Sequence, residues 1–216
     1  MSQIKHGSTT FTGVYELSAA APHGLTSGAA YADGEIPLTS NDVGTDDCAH
    51  PVTILGNAVT NHSGKNFTIT GTDANDVAIT NTIIGPNGNV TVTSTKRFKT
   101  VTSVAVSATT GADTFDVGWS ALASTPWVVL NYLQSHFSVG VGVVLVSGSA
   151  NYDLEKTYDE VDTNATVQVA YNDGTMAAKT DSSDVGLTTP VKAIRLDVNS
   201  HTSGVLRFTV LQGNNC

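Results

Sequence analysis

The stretch VTSVAVSATTGADTFDVGW, residues 101–119, reads as two short β-rich runs separated by a turn around Gly111. Valine, threonine and phenylalanine suit a pleated, half-buried surface, and glycine and aspartate punctuate it. Alternation is not strict, because Val101 and Val104 are three apart. A parity break of this kind is what a β-bulge or strand bend produces. A related block, VKAIRLDVNSHTSGVLRFTVLQ, spans residues 191–212 and repeats the order V-x-x-[VI]-x-[VL], glycine, F-x-V, with the same spacing of three from Val191 to Ile194. The repetition predicts two similar sandwiches, each closed by a related terminal hairpin.

Working outward, VTILGNAV, NFTITGT, VAITNTII and NVTVTS precede the first block at about ten residues per strand, with turn clusters such as DAND and GPNGN between them. After residue 120 the runs WVVLNYL, FSVGVGVVLVSG, ANYDLEKTYD and ATVQVAY continue the pattern, and NDGT reads as a hairpin turn. Ser183 to Leu187 is a short helix candidate. Composition agrees with an all-β chain: 13% charged residues, 6% aromatic and 20 glycines in 216 residues. The expected fold is two β-sandwich domains of immunoglobulin-like or jelly-roll-like type, at 51–120 and 121–216. Residues 1–50 lack sustained periodicity and are expected as an extended N-terminal arm carrying two short strands.

Net charge is −9, divided about equally between the halves, so neither half attracts nucleic acid as a whole. The longest apolar run, from Phe137 to Val146, is about ten residues, well short of the roughly 20 that a membrane helix needs. No apolar region follows Lys5, so no signal peptide is expected, and synthesis in the cytoplasm follows. Cys48 and Cys216 are expected as free thiols.

Several polar clusters have a chemical reading and a plainer one. NDVGTDDCAH, residues 41–50, gathers Asp42, Asp46, Asp47, Cys48 and His50, yet has no zinc spacing, and a turn-rich linker is the expectation. DLEKTYDEVD, residues 153–162, holds five carboxylates, a ladder rather than a calcium cage, and a solvated acidic face is expected. His136 and His201 adjoin serines, but strand neighbours point to opposite faces and no nucleophile elbow is present. VGVGVV lies inside a strand run and is no nucleotide loop. No catalytic residue, cofactor or metal is therefore assigned. Lys96, Arg97 and Lys99 concentrate three of the ten basic residues in four positions. Charges at a strand entry discourage edge pairing; contact with an acidic protein partner, and then binding of an anion or nucleic acid, are the alternatives.

The segments STKRFKTVTSVAVSATTGADTFDVGW, PWVVLNYLQSHFSVGVGVVLVSGSANYDLEKTYDEV and TTPVKAIRLDVNSHTSGVLRFTVLQG resemble modules of structural proteins from tailed-bacteriophage virions. The resemblance runs from about Val90 to Gly213. It implies a non-enzymatic virion component, foremost a capsid decoration or cement protein on the capsid surface, made in the host cytoplasm. The implied partners are the major capsid protein and copies of the chain itself, in a trimer, with no nucleic acid or membrane. Phe11, Tyr15, Tyr31 and Ile36 are then expected as docking anchors on the arm, with capping of their own domain's core as the other reading. A tail or head-fibre component binding host glycans is the alternative, and a depolymerase is the enzymatic one.

Overall fold

The computed structural model describes residues 9–134, 136–161 and 168–213, and among them every regular element is a strand. In chain order these are β1 (Thr9–Glu16), β2 (Ala21–Ala30), β3 (His50–Gly56), β4 (Asn66–Thr72), β5 (Ala78–Ile84), β6 (Thr91–Phe98) and β7 (Thr100–Val106). There follow β8 (Thr114–Trp119), β9 (Ala123–Ser124), β10 (Val128–Val129), β11 (Val139–Thr157), β12 (Tyr171–Asn172), β13 (Ser183–Leu187) and β14 (Ala193–Gln212). The chain divides into two compact units, one of Ala19–Ala123 and one of Met1–Ser18 with Ser124–Cys216.

The unit Ala19–Ala123 is a sandwich of two antiparallel sheets, β2-β8-β3-β6 and β5-β4-β7. Leu25, Val52, Ile54, Phe98, Phe115 and Val117 of the first sheet pack with Phe67, Ile69, Val101, Val104 and Val106 of the second in one core. The parity break between Val101 and Val104 is a bulge. Thr70 pairs with Ser103 and Gly71 with Val101, so Thr102 is the extra residue and both valines stay inside. β7 does not go on to pair with β8; the two belong to different sheets.

In the second unit, β11 and β14, 19 and 20 residues long, pair antiparallel from Val139↔Gln212 to Thr157↔Ala193. Register slips between Leu145 and Tyr152 break this ladder, and Gly148 and Ser203 adopt positive φ there, at 71° and 48°. Strict alternation buries Val139, Val141 and Val143 of β11 and Leu206, Phe208 and Val210 of β14 on one face. β1 flanks β14, and β13 flanks β11.

Four expectations need correction. The N-terminal segment carries the two strands expected of it, but over residues 9–30 it is no extended arm, because β1 pairs with Val205–Gln212 and β2 pairs with β8. Both are edge strands; β1 alternates in burial over residues 10–17, whereas β2 does not. The following segment covers the open edge of β7, with Ile36 N–H donating to Val104 O and Val43 N–H to Lys99 O, both at 2.9 Å. Ser183–Leu187 is a strand rather than a helical turn, held in register against Val139–Val143. NDGT closes no hairpin. The chain turns at Asp173 and then resumes its course along β11, with Asn172 opposite Glu155 and Lys179 opposite Tyr152. The paired terminal hairpins are absent among the described residues: the first block is split between two sheets, and the second is the single strand β14.

Candidate functional site

The Lys-Arg-Phe-Lys group sits where β6 ends and the chain crosses to the other sheet as β7. β6 is bulged just before it, since Pro51 pairs with Arg97 but Thr53 with Thr93. Ser94 holds the bulge by accepting from Val52 N–H at 2.8 Å and donating to Lys96 O at 2.6 Å. From β5, Asn81 Oδ1 accepts the Thr95 and Lys96 amides at 2.8 and 3.2 Å.

The charges turn toward the loop that precedes β3. Lys99 Nζ lies 3.1 Å from Asp76 Oδ1 and 3.7 Å from Asp47 Oδ1. Both aspartates occupy left-handed turn positions, with φ of 62° and 57°. Arg97 donates from its guanidinium to Ala123 O at 2.5 Å. Lys96 is half-buried and makes no ion pair among the described residues. The acidic counterpart considered for this basic group is thus supplied in part by the chain's own Asp47 and Asp76.

Beneath it, the Asp46 and His50 side chains meet with no exposure to solvent, Nε2 lying 3.0 and 3.1 Å from the carboxylate oxygens. His50 Nδ1 is 3.3 Å from Ser120 O, so both ring nitrogens face acceptors. Asp46 also accepts the Cys48 amide at 3.2 Å. The Cys48 thiol is free and buried. Burial first, then the Asp46 and Asp47 carboxylates, push it well above the usual thiol range, against a smaller pull from Arg97 and Lys99. A thiol held protonated inside a core is not a nucleophile. Cys216 lies outside the described residues. Aspartate, histidine and cysteine together would suggest catalysis, but here they lock a loop. The segment is more than the linker expected from its composition.

The other titratable clusters also brace backbone. His62 is buried between Lys65, whose ammonium donates to Nδ1 at 2.9 Å, and Asp113, which accepts from Nε2–H at 3.0 Å. Asp116 is raised by burial but held below the carboxylate range on balance by the Gly28 amide at 2.6 Å, Asn57, His23 and Ser27. The acidic face of 153–157 is not simply solvated. Asp153 is buried and accepts from the Ala178 amide, Asn172 and Asn199, while Glu155 binds Arg195 at 2.7 Å. Arg195 in turn stacks 4.3 Å from the Trp127 ring centre.

The expected docking anchors belong to the protein's own cores. Ile36 is 1% exposed and Tyr15 6%. Phe11 packs edge to face on Phe208 at 6.0 Å, and Tyr31 packs against the sandwich core. Presenting Tyr15 or Ile36 to a partner would require unfolding, which corrects their assignment as exposed anchors.

Surface available to a partner lies instead on sheet faces. The outward positions of β4 and β5 are Asn66, Thr68, Thr70 and Thr72, and Ala78, Thr80, Thr82 and Ile84, with no ionisable group among them. Thr68 and Thr82 hydroxyls join across the strands at 3.0 Å, as do those of Thr72 and Thr100 at 2.7 Å, and Ile84 projects into solvent. The result is an uncharged face on an acidic protein. Its sequence signal is the period-2 threonine of NFTITGT and VAITNTII, which also marks an ordinary half-exposed strand. No family model matches the chain, and no curated protein matches it in sequence.

Proposed function

We propose that the chain is a non-enzymatic virion structural protein that decorates and stabilises a phage capsid by binding the major capsid protein. The uncharged threonine face of β4 and β5 carries this reading. The cores of protein interfaces are depleted in charge, because burying an ion costs more than burying a hydroxyl that keeps a partner. On a chain of net charge −9, such a face is where a second protein surface docks with the least desolvation. The resemblance of 90–213 to phage structural modules supplies the particle. Co-sedimentation with capsids assembled without the protein tests this. Wild-type chain should bind to saturation, and the folded double variant Thr80→Lys/Thr82→Lys should not; absence of wild-type binding, or undiminished binding by the variant, overturns it.

One observation favours the alternative, a tail or head-fibre component that binds host glycans. Tyr158 and Tyr171 stand half-exposed with ring centres 5.8 Å apart, and flat aromatic faces suit the apolar side of a sugar ring.

A further inference from the structure

The outward face of β1, β14, β11 and β13 is a second open sheet face, opposite the buried valines of the same strands. Register places Val14 beside Arg207 and Val144, and Leu211 beside Gly140 and Gly186. Val14 is 60% exposed, Val146 56% and Leu211 52%. Three glycines, Gly140, Gly142 and Gly186, lie among these side chains. None has positive φ, and a Cβ added at Gly142 or Gly186 would meet nothing within 4 Å. At Gly140 it would only graze Leu211 at 3.9 Å. Glycine inside a strand is destabilising relative to alanine. No crowding among the described residues calls for it here, and an interior strand glycine marks a bulge, a tight bend or a place where another backbone or ligand comes close.

We infer that this face binds the same face of a second copy of the chain. Hollows at the glycines and projections at Val14, Val146 and Leu211 occur on one surface, as a self-complementary interface requires. Both charge signs are present too: Arg207 of β14 is exposed, with exposed Glu16 diagonal to it on β1 and exposed Asp184 two strands away on β13. Two like-charged copies can therefore exchange Arg207 against a carboxylate of the partner. Three strands over eight residues and the five-residue β13, about 4.8 Å apart at about 3.3 Å per residue, present about 460 Å². Two such faces come to about 920 Å², in the range of weak, transient association. The contact formed is a weak, reversible dimer, and it deepens the proposed function by supplying the self-contact of a decoration layer.

Sedimentation velocity of the purified full chain over a range of micromolar concentrations reads this directly, without a capsid. Wild type should dimerise. Gly142→Arg, which fills a hollow without touching the core, and Arg207→Glu should each weaken the dimer at least about tenfold. The double swap Arg207→Glu/Asp184→Arg should restore it. A wild-type chain that stays monomeric, or a dimer indifferent to both single variants, overturns the inference. Capsid binding by Gly142→Arg, read separately, reports on the proposed function: loss of dimer with retained capsid binding upholds both, whereas capsid binding absent even in wild type removes the decoration role and leaves the dimer face standing.

Discussion

At the scale of single residues, the polar groups that look most like chemistry hold backbone in place. Asp46 and His50 are four residues apart in a loop, where sequence alone leaves metal binding and turn formation open. The structure seals them from solvent between the Cys48 amide and the Ser120 carbonyl. A buried charged or dipolar group is costly to orphan, so removing one member should be far worse than an exposed substitution. Asp46→Ala is expected to lower unfolding stability by about 3 kcal/mol or more, read as a shift of the urea midpoint. A shift no larger than that of an exposed aspartate would show that the pair is not structural. Lys99 differs in kind, since its ion pairs with Asp47 and Asp76 are partly exposed and worth little individually.

At the scale of elements, bulges let short β-runs build closed cores. Gly71 lies inside the bulge opposite Val101, where an added Cβ would fall 1.9 Å from Thr100 O. Backbone cannot yield there as a flexible side chain would. Gly71→Ala should therefore cost about 1–3 kcal/mol by chemical denaturation, while Gly174→Ala, in open space, should cost much less; equal effects would contradict the packing account. Much of this level was legible in the sequence. Alternation located β4 to β8, and the spacing of Val101 and Val104 located the bulge, because one buried face imposes period 2. What was hidden was pairing. β1 finds its partner nearly two hundred residues away, and β2 contacts β8 through two register slips, with burial that does not alternate. Valine-rich similarity between 101–119 and 191–212 reflects shared inward-facing positions, while the glycine that joins each pair of runs serves different ends: a turn at Gly111 and a long strand's bulged stretch at Gly204. The site was less legible still. A basic cluster is plain in sequence, but the acids that meet it come from two separate loops.

At the scale of the whole molecule, the account rests on broad faces rather than a pocket. Each compact unit turns apolar residues inward and a sheet face outward, uncharged and threonine-lined on one unit, and on the other glycine and valine with Arg207, Glu16 and Asp184. The chain's net charge of −9 opposes close approach over most of the surface and leaves those faces as the routes of least repulsion. On the proposed reading, the protein acts by being present in number at a capsid surface. Quantitative mass spectrometry of purified virions, with the major capsid protein as internal standard, measures that most directly. The account predicts hundreds of copies per particle, in fixed ratio to the capsid protein. A dozen copies or fewer, or absence from the particle, would contradict it.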